Sequence, residues 1–120
     1  MLRRALLVLL WSGLAAALPA KSPAQPSLSP AAQAGRAIYF ANCVGCHGLN
    51  VQGGLAPNIR RAGQGSLASF KRAVLQGKGL DGRPLALTMP RYTRGFRPHL
   101  GRQPTDTELR NLQSFLKTVK

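Results

Sequence analysis

Cys43-Val44-Gly45-Cys46-His47 holds the only two cysteines of the chain, three apart, with a histidine directly after the second. This C-x-x-C-H spacing is the attachment signature of c-type haem. Two thiols one helical turn apart can each form a thioether with a vinyl group along one edge of a haem. The next residue then lies under the ring, where its imidazole can bind the iron from the proximal side. Gly45, lacking a side chain, lets the backbone approach the porphyrin edge. A chain built on this motif has a large apolar group to wrap, and that decides how its loops are read.

Three other readings compete. A redox-active C-x-x-C belongs near a βαβ pattern, and none is found here. A zinc site could draw on Cys43, Cys46, His47 and distant His99. Adjacent Cys46 and His47 suit a tetrahedral ion poorly, however, and the usual paired ligand spacings are missing. A disulfide across so short a loop would constrain little. Haem attachment accounts for all three residues together.

Upstream, Arg3-Arg4, an apolar run from Ala5 to Leu18 and then Pro19-Ala20 read as a secretory signal peptide over residues 1–20, with cleavage near 17–20. The run is 14 residues long, short of the roughly 20 that span a bilayer as a helix. An uncleaved N-terminal anchor is the alternative. Export suits haem attachment outside the cytoplasm, because it delivers an unfolded chain with free thiols; the expected location is the periplasm or the extracytoplasmic face of the membrane. Residues 21–30 carry three prolines and three serines and form a linker. What remains, 31–120, suffices for one domain.

Local signals then place the helices. Ser29 can cap a first helix with Pro30 at its first position, running to about residue 43. Ala31, Ala34, Ile38 and Ala41 form its apolar stripe, with Gly35 and Tyr39 beside it. Leu67, Phe70 and Val74 mark a short helix capped by Ser66 and ended by Gly77. Thr105-Asp106-Thr107-Glu108 is a capping box, in which each end residue satisfies a backbone donor of the other. It opens a last helix with Leu109, Leu112, Phe115, Leu116 and Val119 on its apolar face. Residues 48–65 and 77–104 read as long loops. A loop as long as the second would normally count against a compact domain, but a buried haem supplies a surface for it to cover.

Taken together, Gly35, Tyr39, Cys43, Cys46, His47, Pro57, Met89-Pro90, Leu112 and Phe115 resemble the pattern of class I c-type cytochromes over roughly residues 30–120. The resemblance implies an all-α fold of three to four helices with long loops around one covalent haem c. It implies that Gly35 and Tyr39, eight and four residues before the first cysteine, pack on the last helix. His47 becomes the proximal ligand, and Cys43 and Cys46 the covalent anchors. Pro57 matches the loop proline whose carbonyl accepts the Nδ1–H bond of that histidine, a bond that orients the ring and raises its basicity. Met89, within Leu-Thr-Met-Pro-Arg-Tyr, matches the distal ligand. His99 competes with it, and would give a bis-histidine site; otherwise it is an exposed loop histidine. The family's tryptophan near a haem propionate is missing, which leaves Arg60, Arg61 and Tyr92 as candidates there.

A six-coordinate His/Met haem has no open site for substrate and suits electron transfer over catalysis. The expectation is therefore an exported electron carrier, not an enzyme in itself, though it could serve as the cytochrome subunit of an oxidoreductase. A haem enzyme or gas sensor with a labile Met89 is the rival from another class, and a basic binding protein with a structural haem is a third. The net charge of +14 could serve nucleic acid, an anionic membrane or an acidic protein. Export and the lack of an aromatic-interleaved RNA-binding pattern argue against nucleic acid. Lys78, Arg83, Arg91, Arg94, Arg97 and Arg102 flank Met89 against Asp81 alone. They read as a docking face for an acidic redox partner, with an anionic membrane surface as a second candidate.

Overall fold

Ser29 accepts a hydrogen bond from Ala32 N at 3.1 Å and Pro30 takes the first helical position, so α1 runs Pro30–Asn42. The computed structural model describes residues 13, 15–16 and 27–120. The expected signal peptide, apart from those three positions, and linker residues 21–26 lie outside the described residues. Cys43 (φ −120°, ψ −28°) breaks α1 before a further single turn, α2 (Val44–His47). α3 (Leu67–Gln76) is capped by Ser66, which accepts from Ser69 N, and is ended by Gly77 at φ 68°. α4 spans Asp106–Thr118.

The fold is thus all-α. Among the described residues the extended structure amounts to an isolated antiparallel bridge between Lys78 and Pro84. No described helix is long and apolar enough to cross a membrane. The stretch 48–65, expected to be irregular throughout, contains a 3-10 turn at Arg60–Gln64. Five residues of 3-10 geometry carry no apolar period that a sequence pattern could reveal.

The stripe expected on α1 is displaced. Its buried positions are Ala32, Gly35 and Tyr39, whereas Ala34 and Ala41 are exposed and Ala31 and Ile38 are half-buried. The cause is Gly35. A β-carbon there would overlap the carbonyl of Asn111 and stand 2.9 Å from Leu112 N, so the α1 and α4 backbones touch. The contact stripe centres on this glycine, which apolar periodicity does not count.

From α4, Leu109, Leu112, Phe115 and Leu116 are buried against α1, α3 and the 3-10 turn. Tyr39 meets the Phe115 ring at 5.3 Å, and its hydroxyl donates to Gly48 O at 2.6 Å. Buried Gln113, unexpected on an apolar face, donates to the carbonyls of Ala62 (3.3 Å) and Gly65 (3.0 Å). It thereby ties the 3-10 turn to α4.

The capping box forms only by half. Thr105 Oγ1 accepts from Glu108 N at 3.1 Å, but the Glu108 carboxylate takes the Thr105 hydroxyl (3.2 Å) and the Arg102 guanidinium (2.6 Å). A charged donor outcompetes a neutral amide for a carboxylate. The cap is worth about 1 kcal/mol, against about 1.5–3 kcal/mol for each fully buried large apolar side chain, so packing holds α4 more than capping does.

Candidate functional site

α1 delivers Cys43 at its end, and α2 carries Cys46 and His47 round one turn. The N–H groups of Cys46 and His47 both bond to the carbonyl of Cys43, at 3.3 and 3.0 Å. Cys43 is half-buried and Cys46 exposed, and both thiols are free. Burial pushes the Cys43 thiol up to about 12, with the neighbouring Cys46 adding to the shift. At neutral pH that thiol is therefore neutral in the folded chain.

His47 is buried, and its Nδ1 lies 2.8 Å from the carbonyl oxygen of Pro57. A carbonyl can only accept, so Nδ1 donates its proton in this bond and Nε2 is the ring nitrogen left for another partner. The chain reaches Pro57 by doubling back, with Gly53 N on His47 O (2.8 Å) and Ala56 N on Cys46 O (3.0 Å). Val51 takes φ 61° in this reversal and is wholly buried. Such a conformation costs a β-branched residue about 1–3 kcal/mol, which burial of its side chain offsets.

These residues open on a cavity of about 590 Å³, within the ~300–1,000 Å³ usual for ligand pockets. Cys43, Cys46, His47 and Pro57 line it from one stretch of chain, and Leu85, Ala86, Met89 and Pro90 from the 77–104 segment. Phe70 and Val74 of α3 and Leu112 and Leu116 of α4 complete its apolar lining. Leu55 and Leu80 also line it and are themselves exposed, so the cavity reaches the surface. The structure thus brings Cys43, Cys46, His47, Pro57 and Met89 to one cavity. His99 is exposed and does not line it. Nor is there, among the described residues, any group of three His, Cys, Asp or Glu side chains that could hold a metal ion, as a zinc site would need.

Of the residues considered for a propionate, Arg61 lines the cavity. Arg60 instead directs its guanidinium to Asn50 O at 3.2 Å. Tyr92 lines the cavity, but its hydroxyl donates to Asn42 O at 2.9 Å. Burial first, and then the nearby cysteines, push the Tyr92 phenol up to about 12 against the opposing charge of Arg97.

The sequence reading overlooked two residues that shape the site. The Asn42 side chain accepts from Arg97 N (2.9 Å) and donates to Arg97 O (3.2 Å) and Ile38 O (2.9 Å). It pins the long loop to the end of α1, next to Cys43. Arg91, assigned from the sequence to a surface patch, turns its guanidinium onto carbonyls of its own loop. No local pattern marks either role, because both are bonds from a side chain to backbone placed by the fold.

An apolar wall, two free thiols, an imidazole held by its Nδ1 with Nε2 uncommitted, and a thioether make a donor set that fits a covalently held haem. The cytochrome c family pattern matches residues 32–120, and the chain belongs to this family. Proteins of the family bind haem c and pass electrons to redox partners. A solved structure similar to this chain is cytochrome cL from the marine methylotrophic bacterium Methylophaga aminisulfidivorans MPT, at 22% identity and a TM-score of 0.37. The match covers 74% of this chain and 55% of that one, so this chain spans about half the length of the other. No curated protein matches the chain.

Proposed function

We propose that the chain is an exported electron carrier holding one haem c through thioethers to Cys43 and Cys46, with His47 and Met89 as its axial ligands. The observation that carries this reading is the meeting of all four residues at one apolar cavity, with His47 Nδ1 already committed to Pro57 O. When bound, haem c supplies a one-electron iron couple. The residues of the chain do the rest. The Pro57 carbonyl fixes the imidazole ring through Nδ1, so Nε2 is the atom that would hold the iron. The Met89 thioether would be the second group to hold the iron, favouring its reduced state and leaving substrate no position to bind, which sets electron transfer above catalysis. The apolar walls from α3 and α4 exclude water, while exposed Leu55 and Leu80 mark where the cavity comes within reach of a partner.

The partner we propose is an acidic redox protein. Fewer cations are left for such docking than the sequence alone suggests. Arg91 is turned onto its own loop, Arg83 stands 3.9 Å from Asp81, and Arg102 pairs with Glu108. Lys78, Arg94 and Arg97 remain exposed and without a salt bridge among the described residues. Export is supported by the basic and then apolar pattern of residues 3–18.

The test is an intact mass together with an extraction. The purified protein should weigh one haem more than the processed chain, and acidified organic solvent should leave the haem attached. Haem released by that solvent, or zinc in its place, defeats the reading.

A further inference from the structure

We propose that Arg91 is a positioning residue for Met89, a clasp that sets how firmly the Met89 thioether is held at the cavity. The inference rests on the reading of Met89 as an axial ligand. Arg91 Nη1 donates to Met89 O at 2.9 Å and to Ala86 O at 3.5 Å, and Nη2 donates to Leu85 O at 3.3 Å. One planar fork therefore spans the turn that presents Met89. The backbone of that turn contributes a single short-range bond of its own, Met89 N to Ala86 O at 3.1 Å.

The clasp is anchored to the helical body. A β-carbon on Gly77 would overlap the Arg91 guanidinium, so the side chain lies directly against this glycine. Gly77 is the left-handed residue that ends α3, and its carbonyl accepts from Leu85 N at 2.7 Å. On the far side of Arg91, Tyr92 N bonds to Val74 O of α3 at 3.0 Å. The Met89 turn is thus referenced to the end of α3 through Gly77, Arg91 and Tyr92. Guanidinium is suited to this task because it stays protonated at all ordinary pH and holds several donors in a fixed plane. An ammonium is a point charge on a flexible stem, and a lysine could not serve three carbonyls in that geometry. Arg91 is half-buried, while Arg94, three residues on, is exposed with no side-chain hydrogen bond among the described residues.

The experiment uses the full haem-loaded protein and two readouts that a general loss of stability does not mimic. These are the sulfur-to-iron charge-transfer band of the oxidised form and the rate of carbon monoxide binding to the reduced form, both at neutral pH. Arg91→Ala should remove at least about half of the band and speed carbon monoxide binding about tenfold, the scale of losing charge-assisted hydrogen bonds. Far-ultraviolet helicity should persist. Arg91→Lys should restore little of either, and Arg110→Ala, at an exposed position of α4, should change neither. If Arg91→Ala fails to load haem, Arg91→Lys decides. A normal band and normal binding rate in the Arg91 variants overturn the proposal. Met89→Ala, measured alongside, separates the two levels. A band that survives Met89→Ala defeats the ligand reading itself, whereas a band lost there but kept in the Arg91 variants defeats only the clasp.

Discussion

Where α1 crosses α4, Gly35 brings two backbones into contact and Tyr39, Leu109, Phe115 and Leu116 close over the crossing. In the segment 77–104, Phe96 is the large hydrophobic side chain that is wholly buried. Elsewhere that segment is held by Asn42, Arg91 and Tyr92, through hydrogen bonds from side chains to backbone carbonyls and amides. Packing distributes its stabilisation over many contacts, so the crossing should yield only with the whole domain. A few polar clasps each carry a large share of one loop, so that loop can open while the helices stay together.

The comparison breaks most severely at Gly35. Gly35→Ala forces a methyl group into the Asn111 carbonyl and should cost about 3 kcal/mol, at the upper end for overpacking. Denaturant unfolding of the variant should show the loss as a lower midpoint for every probe at once. Separate transitions for the helices and the loop would mean that the crossing is not the shared core.

Asn42→Ala tests the other half. It strips partners from both the N–H and the carbonyl of Arg97, a loss of about 1–3 kcal/mol. The effect should appear as faster amide exchange around residues 92–101, with the global midpoint shifted less. Equal losses in both measurements would erase the distinction between the two regions.

Alkaline pH should act on both regions together. Burial, reinforced by nearby Cys43, pushes the Tyr39 phenol up to about 12, and Tyr92 is raised to about 12 as well. A folded-state value above the unfolded one means full stabilisation below about pH 10, lost as pH rises toward about 12. Denaturant midpoints should therefore fall between those values, less steeply in Tyr39→Phe and Tyr92→Phe. A midpoint flat to pH 12 would show that neither phenol is constrained as described.

The smallest effect on stability is expected where the loop faces outward. Arg94→Glu and Arg97→Glu should each shift stability by no more than about 0.5 kcal/mol. They should still flatten the fall of electron-transfer rate with ionic strength toward an acidic acceptor, since exposed charges are screened beyond about 8 Å at physiological salt. Rates that do not depend on salt in the parent protein would remove the docking role of this face.

How much could be read in advance divides along the same line. Ser29, Ser66, Gly77 and Thr105 mark helix ends because a cap is a bond between residues a few positions apart, visible in a short window of sequence. The C-x-x-C-H cluster was legible for the same reason, being contiguous. Pro57 and Met89 lie outside it, and the family resemblance marks them where spacing does not. Apolar periodicity misplaces the α1 stripe because it passes over the glycine at its centre. Asn42 and Arg97 stand 55 residues apart, and Arg91 looks like any other surface cation. Roles of that kind exist only once the loop has folded back, so no window of sequence contains them.

On the proposed reading, Asn42 also bears on when the haem is attached. In the folded chain, where Arg97 and Tyr92 are bonded to Asn42, the neighbouring Cys43 is half-buried and its thiol is pushed up to about 12. The thiolate is the reactive form of cysteine, so a chain that has already closed has lost most of its reactivity at Cys43. On the reading proposed here, bond formation at Cys43 belongs to the open chain, and the docking of residues 92–97 ends the interval in which it can occur.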